Sequence, residues 1–513
     1  MSGSLLLVVA GNAKKGQCST VLGYLSETLR GSKSTLWARR VEASEFQLAY
    51  EECPGSHHFT NQVPMSKGIT HLQPLQGVRA LSCLSVAVFH INLLFASAAS
   101  AWVWYDAWDR QPWISASSAG HAVYSLHFFM MMTGILSAAF LVPELQALAA
   151  QKPMIIRKYY MRRIKRIVPA FYIAVGLFSI IKMCPVTEVS HDALRMQQQF
   201  TGILRPRVTQ LLFSTNITLD LVTYLPWLWN IPVQMQFYLL FPLILVGLAA
   251  SKGHLRARLV PTCVLGIVAS VLYKAWVTIY FDLPDPVPIF AYLDFVEGSG
   301  GHQPASVRAA FAWLNWLHSS FSSRVTDFSC GVLIYLIVSS PRATAALRRR
   351  PLVCGAVSAV CCLLGFVACF PRAVAPISLR PRPHMKTSIA QSLVSLVAVQ
   401  GLLVPLSAAW LLVYILVQPG WPSRWLASLL GSKKWDWFAA RSYSVFLLHA
   451  FVTLWLFELV PVTTVLGPLE EFRTYLVVCL SVLSIATMLA WLQDSLVSAT
   501  ISHWTQKPQS KVR

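Results

Sequence analysis

Charged residues are scarce in this chain, since Lys, Arg, Asp and Glu together make up only 12% of its 513 residues. An average soluble protein carries about twice that share. Hydrophobic residues reach 55% and fall in long runs. The shortage of charge therefore excludes an ordinary soluble protein, and it predicts an all-α, polytopic integral membrane protein.

Acidic residues are scarcer still, because 21 Asp and Glu stand against 42 Lys and Arg and leave a formal net charge of +21. An excess of base on this scale is also found in proteins that bind nucleic acid. Here the bases cluster in short segments between the apolar runs, as the positive-inside rule expects of cytosolic loops. We therefore expect these segments to meet membrane lipid and not nucleic acid.

Several motifs that would indicate a metal or nucleotide site are missing. The eleven cysteines form no CxxC pair, and most lie within apolar runs, so neither a zinc site nor a disulfide scaffold is expected. The chain has no nucleotide-binding glycine loop and no evident internal repeat. We expect no metal, and the chemistry must come from polar residues inside the apolar runs.

The apolar runs predict about ten transmembrane helices, judged by their length and their lack of charge. They lie at residues 78–99, 122–143, 167–184, 229–249, 259–280, 325–340, 352–370, 391–417, 442–462 and 474–497.

Charge in the connections orients these predicted helices. Four basic connections alternate with segments that carry carboxylates, and the basic set is expected in the cytosol. Both termini then lie in the cytosol as well. The connection 371–390 conflicts with this scheme, because it is basic yet must lie on the far side if the count is ten. The sequon Asn216-Ile217-Thr218 falls in a segment expected on that far side.

Composition divides the chain into three parts. Residues 1–72 mix both signs of charge with Gly and Ser, and predict a poorly ordered cytosolic extension. Residues 73–500 hold all ten predicted spans and form the transmembrane domain. Residues 501–513 form a short cytosolic tail.

The stretch GVRALSCLSVAVFH, residues 77–90, places two polar residues in the first span. Eleven residues separate Arg79 from His90, which returns a helix to nearly the same face about 16 Å further along its axis. An imidazole inside a span is costly unless it is partnered, and it can act as a general base. The alternatives are a histidine that only packs between helices and an arginine that only reaches lipid phosphates.

Five stretches together resemble, in the right order, the acyltransferase 3 family. The resemblance covers about residues 73–497 and implies a polytopic protein that moves acyl groups, commonly acetyl, onto acceptors at the far side of a membrane. It implies acyl-CoA, with acetyl-CoA the usual case, as the donor, and a hydroxyl of a glycan, lipid or other molecule as the acceptor. The stretches are GVRALSCLSVAVFH (77–90), FFMMMTG (128–134), RRIKRIVP (162–169), WNIPVQMQFYLLFP (229–242) and RSYSVFLLH (441–449).

The resemblance and the chemistry of the side chains together define a candidate site. Its imidazoles are the catalytic candidates, its arginines at the cytosolic edge would bind donor phosphates, and polar groups towards the other face would hold the acceptor. The candidates are His90 and His449 for catalysis, Arg79, Arg163 and Arg166 for the donor, and Gln236, Tyr238 and Arg324 for the acceptor.

Two departures from the family pattern leave alternatives open. His127 stands where the family usually has aspartate, and Gln234 where it usually has an acidic residue. The sequence shows no partner for His127. An inactive protein of the same fold is therefore one alternative. The other is a proton-coupled secondary transporter or permease, in which His90, Arg79 and His449 would form the substrate path.

Overall fold

The computed structural model describes nine stretches of the chain, and every one belongs to the compact unit Ile69–Arg513. The predicted extension 1–72 lies outside them apart from its last residue, as does the connection 371–390. The described stretches are 72–98, 112–147, 152–183, 208–217, 226–249, 255–283, 313–369, 393–459 and 468–505.

These stretches are helical throughout, apart from a few turns and caps, and contain no strand. The long helices are α1 (Pro74–Ala98), α2 (Pro112–Ala147), α3 (Lys152–Met183), α4 (Asn230–Ala249), α5 (Leu255–Tyr280), α6 (Phe321–Val338), α7 (Pro351–Cys369), α8 (Val404–Val417), α9 (Lys434–Leu459) and α10 (Pro468–Thr505). The shorter pieces are Val208–Leu211, Pro226–Leu228, Trp313–His318, Pro341–Arg348, Leu393–Leu403 and Trp421–Leu430.

Among the described residues, seven helices are long and apolar enough to cross a membrane. Large apolar side chains also cover the outside of the bundle, including Leu265, Leu272 and Leu496, and such a surface is stable in lipid but not in water. The predicted class, an all-α polytopic membrane protein, is therefore confirmed. Each predicted span overlaps a long helix, but the count of ten stays a prediction. Helices α3 and α9 begin with basic segments that continue directly into their apolar parts, and α7 contributes only a shorter apolar stretch, Pro351–Leu364.

Helix α2 lies at the centre of the bundle and packs against α1 and α6. Two glycines allow α2 and α6 to approach closely. A Cβ atom on Gly331 would collide with the carbonyl oxygen of Met131, and one on Gly134 would lie 2.5 Å from the carbonyl oxygen of Phe328. Small residues at such crossings let helix backbones meet in membrane proteins. This contact brings the polar residues His127 and Asp327 together.

Helix α9 packs against α1 and α10. The thiol of Cys83 on α1 donates a hydrogen bond to the carbonyl oxygen of Ser442 on α9, at 3.1 Å. Gly77 fits closely against the carbonyl oxygen of Leu430, at the end of the short helix that precedes α9. Since α1 and α9 run side by side, polar residues further along both helices can meet.

Candidate active site

His90 on α1 and His449 on α9 form a histidine pair inside the bundle. Nδ1 of His90 lies 2.7 Å from Nε2 of His449, and the two ring planes are only 16° apart. Nδ1 of His449 lies 2.7 Å from the carbonyl oxygen of Phe446. His449 is completely buried, whereas His90 is half-buried. The two residues proposed for catalysis are therefore direct neighbours.

The hydrogen bonds determine which nitrogen of each ring carries the proton. A carbonyl oxygen only accepts, so Nδ1 of His449 must donate, and Nε2 of the neutral ring is then an acceptor. Nδ1 of His90 donates to that acceptor. The lone pair of His90 therefore lies on Nε2, the nitrogen that can take up a proton from a substrate.

A second polar cluster joins α2 to α6. Nδ1 of His127 lies 2.7 Å from Oδ1 of Asp327, and both side chains are buried. A carboxylate accepts only, so His127 also donates through Nδ1, and the lone pair of its neutral ring lies on Nε2. Nη1 of Arg324 lies 3.6 Å from Oδ2 of Asp327. His127 thus has the partner that the sequence did not reveal.

Arg324 connects this cluster to the start of α4. Its Nε and Nη2 both donate to the carbonyl oxygen of His318, at 2.9 and 2.7 Å. The guanidinium lies 5.3 Å from the ring centroid of Trp229, and the Trp229 and His318 rings are 4.4 Å apart. Buried arginine is stable only when its donors are paired, and here these contacts hold it in one position.

His318 links the two histidine clusters electrostatically, since it interacts with both His90 and His127. Lys274 on α5 completes the second cluster. It is buried, its Nζ donates to the carbonyl oxygen of Gly401 at 3.0 Å, and it interacts electrostatically with Asp327. The histidines therefore share one polar region inside an otherwise apolar bundle.

A third cluster brings together the arginines proposed for donor binding. Arg79 on α1 interacts electrostatically with Arg163 and Arg166 on α3 and with Tyr238 on α4. The guanidinium of Arg163 lies 4.8 Å from the ring centroid of Tyr238 and 5.4 Å from that of Tyr159. Cation–π contacts of this kind hold arginine in place without neutralising it.

The arginine cluster carries an excess of positive charge. Asp494 on α10 interacts with Arg166 and Arg441, and it accepts a hydrogen bond of 2.7 Å from Ser444. No second carboxylate interacts with the cluster within the described part of the chain. Arg79 is half-buried and Arg166 retains exposed surface. Neighbouring positive charges repel each other, and an anion bound beside them would offset that repulsion.

Comparison with known proteins decides the family. The family model Acyl_transf_3, described as an acyltransferase domain, matches residues 74–491. The chain belongs to the acyltransferase 3 family. The resemblance drawn from the five stretches is therefore confirmed, and the protein is a multi-pass membrane protein of this family.

One similar protein is an uncharacterized protein of Haemophilus influenzae. It is 29% identical to this chain over 144 residues, which is 27% of this chain and 56% of the bacterial protein. The chain thus spans little more than half the length of that relative. No solved structure matches the chain.

The three residues predicted to bind the acceptor fall in different places. Gln236 forms two hydrogen bonds with Asn216, at 3.0 and 2.9 Å, so its amide oxygen and one N–H already have partners. Tyr238 lies with Arg163 in the arginine cluster. Arg324 alone lies beside the histidines. Gln236 and Tyr238, two positions apart on α4, thus have different surroundings.

Sequence reasoning left out three polar residues that the structure brings to the site: His318, Lys274 and Asp327. Lys274 and Asp327 lie inside predicted spans, and an ionisable residue within a span is itself a signal of function. That signal could have identified them. The spacing of Arg324 and Asp327, three residues apart on α6, also allows their contact. The contact of Asp327 with His127 could not be read from spacing, because it joins different helices.

Proposed function

We propose that this acyltransferase transfers an acyl group from acyl-CoA to a hydroxyl group of a glycan or lipid acceptor. Acetyl is the expected group, because the family commonly moves acetyl. The observation that carries the proposal is the arrangement along α1, where Arg79 belongs to the arginine cluster and His90 to the histidine pair. The two lie about 16 Å apart along the helix axis.

The arginine cluster supports the donor part of the proposal. Coenzyme A carries its phosphates at one end and its thioester at the end of a long flexible arm. Guanidinium groups bind phosphate through paired, charge-assisted hydrogen bonds. Arg79, Arg163 and Arg166 would hold the phosphates, while the arm extends along α1 towards His90. We assign Tyr238 to this donor site, since it lies against Arg163.

The histidine pair supports the reacting step. His90 would accept the proton of the acceptor hydroxyl on Nε2 as the hydroxyl oxygen attacks the thioester carbonyl carbon. A carbon–oxygen bond forms, the carbon–sulfur bond breaks, and coenzyme A leaves as a thiolate that takes up a proton. His449 would hold the His90 ring through the Nδ1 hydrogen bond and stabilise its protonated form.

Roles for the remaining candidates follow from their contacts. Gln236 is assigned to holding residues 208–217 against α4, through its pair of hydrogen bonds with Asn216. Arg324 is assigned to the acceptor side, because it lies with the histidines.

The experiment that tests the function uses the purified protein in nanodiscs. Acetyl-CoA and longer acyl-CoAs are supplied with an extract of glycans and lipids from cells that lack the gene. Release of free coenzyme A thiol and the mass of acylated products are measured together. We expect protein-dependent thiol release and one new acylated product.

The same preparation separates the alternatives. If acyl-CoA is not consumed, while proteoliposomes take up a labelled solute in response to a proton gradient, the protein is a transporter. If neither process occurs in well-folded protein, it is an inactive protein of the same fold.

A further inference from the structure

We propose that His127 and Asp327 form the acceptor site of this enzyme, and that the acceptor carries several hydroxyl groups, as a sugar does. In this proposal, which rests on the proposed function, His127 binds one hydroxyl while His90 acts on another. A lone alcohol, such as a sterol, would lack the second contact. Nothing in the family match assigns a role to Asp327 in α6.

The first support is the fixed orientation of the His127 ring. Its Nδ1 donates to Asp327 at 2.7 Å, so Nε2 is left to accept a hydrogen bond from a hydroxyl group. Arg324 and Lys274 offset the charge of the carboxylate. A ring held this firmly can select the position of a hydroxyl with little loss of entropy on binding. Asp327 is thus a positioning residue.

The second support is the place of this pair in the bundle. His318 interacts electrostatically with both His127 and His90, and its carbonyl oxygen accepts from Arg324, which lies beside Asp327. His90 likewise keeps its lone pair on Nε2. Two imidazoles with the same arrangement of donors, both of which interact with His318, match two hydroxyl groups of one molecule better than they match one.

The third support is a group of buried polar atoms that have no hydrogen-bond partner in the described part of the chain. They are the Nε1 atom of Trp227, Oδ1 of Asn230, and the hydroxyls of Ser319 and Thr326. They lie in the segments that Trp229 and His318 join, at the start of α4 and around the start of α6. Leaving such groups unpaired is costly, and a ligand rich in hydroxyls could satisfy both donors and acceptors.

These polar atoms are closed off from solvent, so access to them requires the segment before α6 to shift. That segment includes Trp313–His318, which is wound as a π-helix. Such turns are uncommon and occur often at functional sites. The site would therefore open there as the acceptor enters.

The test measures transfer of radioactive acetyl from acetyl-CoA by the full-length protein in nanodiscs. The acceptors are three fractions of extract from cells that lack the gene: aqueous glycans, glycolipids and neutral lipids. We expect label in the aqueous glycans or in the glycolipids. Label in the aqueous glycans would indicate a free glycan as acceptor, and label in the glycolipids a lipid-linked one. Label confined to the neutral lipids would overturn the proposal.

The variants Asp327→Asn and His127→Gln separate binding of the acceptor from folding. Each should raise the apparent KM for the active fraction by about tenfold, the effect of losing one hydrogen bond, and leave the KM for acetyl-CoA unchanged. Asp436→Asn is the matched control, because Asp436 accepts a hydrogen bond of 2.8 Å from Gln73 away from the site. It should behave as wild type.

A double variant, His127→Asp with Asp327→His, keeps a hydrogen bond between the two side chains but moves the imidazole to α6. The proposal expects that this variant folds and that its acceptor KM stays high. Recovery of the acceptor KM would show that the pair only joins the helices. If wild type transfers no label, the proposed function fails; if it transfers label and both single variants match it, only the acceptor site fails.

Discussion

The chemistry of His90 depends on the ring beside it. Nε2 of His449 accepts a hydrogen bond from Nδ1 of His90, and Nδ1 of His449 donates one to the carbonyl oxygen of Phe446. This chain of hydrogen bonds ends at the backbone, so the tautomers of both rings are determined. A histidine without this partner would populate both tautomers, and its basic nitrogen would not be fixed on one side of the ring.

Replacement of His90 tests that interpretation. His90→Gln can still donate a hydrogen bond to His449, but it has no nitrogen that takes up a proton. We expect turnover to fall by roughly 10²- to 10⁴-fold, the usual contribution of a general base. Acyl transfer per folded molecule is the measurement, with monodispersity in detergent as the control for folding. Near-normal turnover in a well-folded variant would show that His90 only packs between helices and is not a general base.

The arginine cluster offers a comparison within one helix. Arg166→Gln should raise the KM for acyl-CoA by roughly ten- to a hundredfold, because a hydrogen bond to a charged group contributes about 1.5 to 3 kcal/mol. Arg162→Gln is the matched control, since Arg162 lies over the ring of Phe140 at 5.0 Å and not in the cluster. Equal KM values for the two variants would argue against a phosphate contact at Arg166.

At the scale of helices, the crossing of α2 and α6 matters most, because it brings His127 to Asp327. Gly134 and Gly331 permit it by leaving room for the backbone of the opposite helix. Gly134 is the last residue of the stretch FFMMMTG, which resembles the family pattern. The spacing of α2 and α6 therefore accounts for a small residue at this position.

Gly331→Ala should separate the two helices. The added methyl group would collide with the backbone of Met131, and overpacking of this kind costs about 1 to 3 kcal/mol. We expect a lower midpoint of thermal unfolding in detergent. Gly247→Ala should not lower the midpoint, because nothing lies within 4 Å of a Cβ atom there. Equal midpoints for the two variants would mean that α2 and α6 do not cross this closely.

At the scale of the whole molecule, the membrane orientation follows from charge. Basic segments resist transfer across the membrane and stay in the cytosol. We expect protease protection or cysteine labelling to find both termini and residues 150–166 on the cytosolic side. Residues 281–324 should lie on the opposite side. A cytosolic location for 281–324 would reject the ten-span arrangement, and labelling of 371–390 would show where the count changes.

The membrane class and the positions of the helices were determined by the sequence alone. The length of the apolar runs, the charge between them and the spacing of Arg79 and His90 are local properties of the sequence. Such runs form helices in a bilayer, because a helix pairs all its backbone N–H and C=O groups within the same segment. The five stretches in order also sufficed to predict the family. Helix ends were less certain, since α3 continues from its basic start at Lys152 straight into its apolar part.

Only the tertiary structure decided which polar residues meet. His90 and His449 are 359 residues apart in the chain, and His127 and Asp327 are 200 apart. Such contacts depend on which helix faces which, and that follows from packing at glycines and from the pairing of buried polar groups across the bundle. For the same reason Tyr238, predicted to bind the acceptor, lies with the arginines. Periodicity along one helix gives the face of a residue but not the neighbour that the face meets.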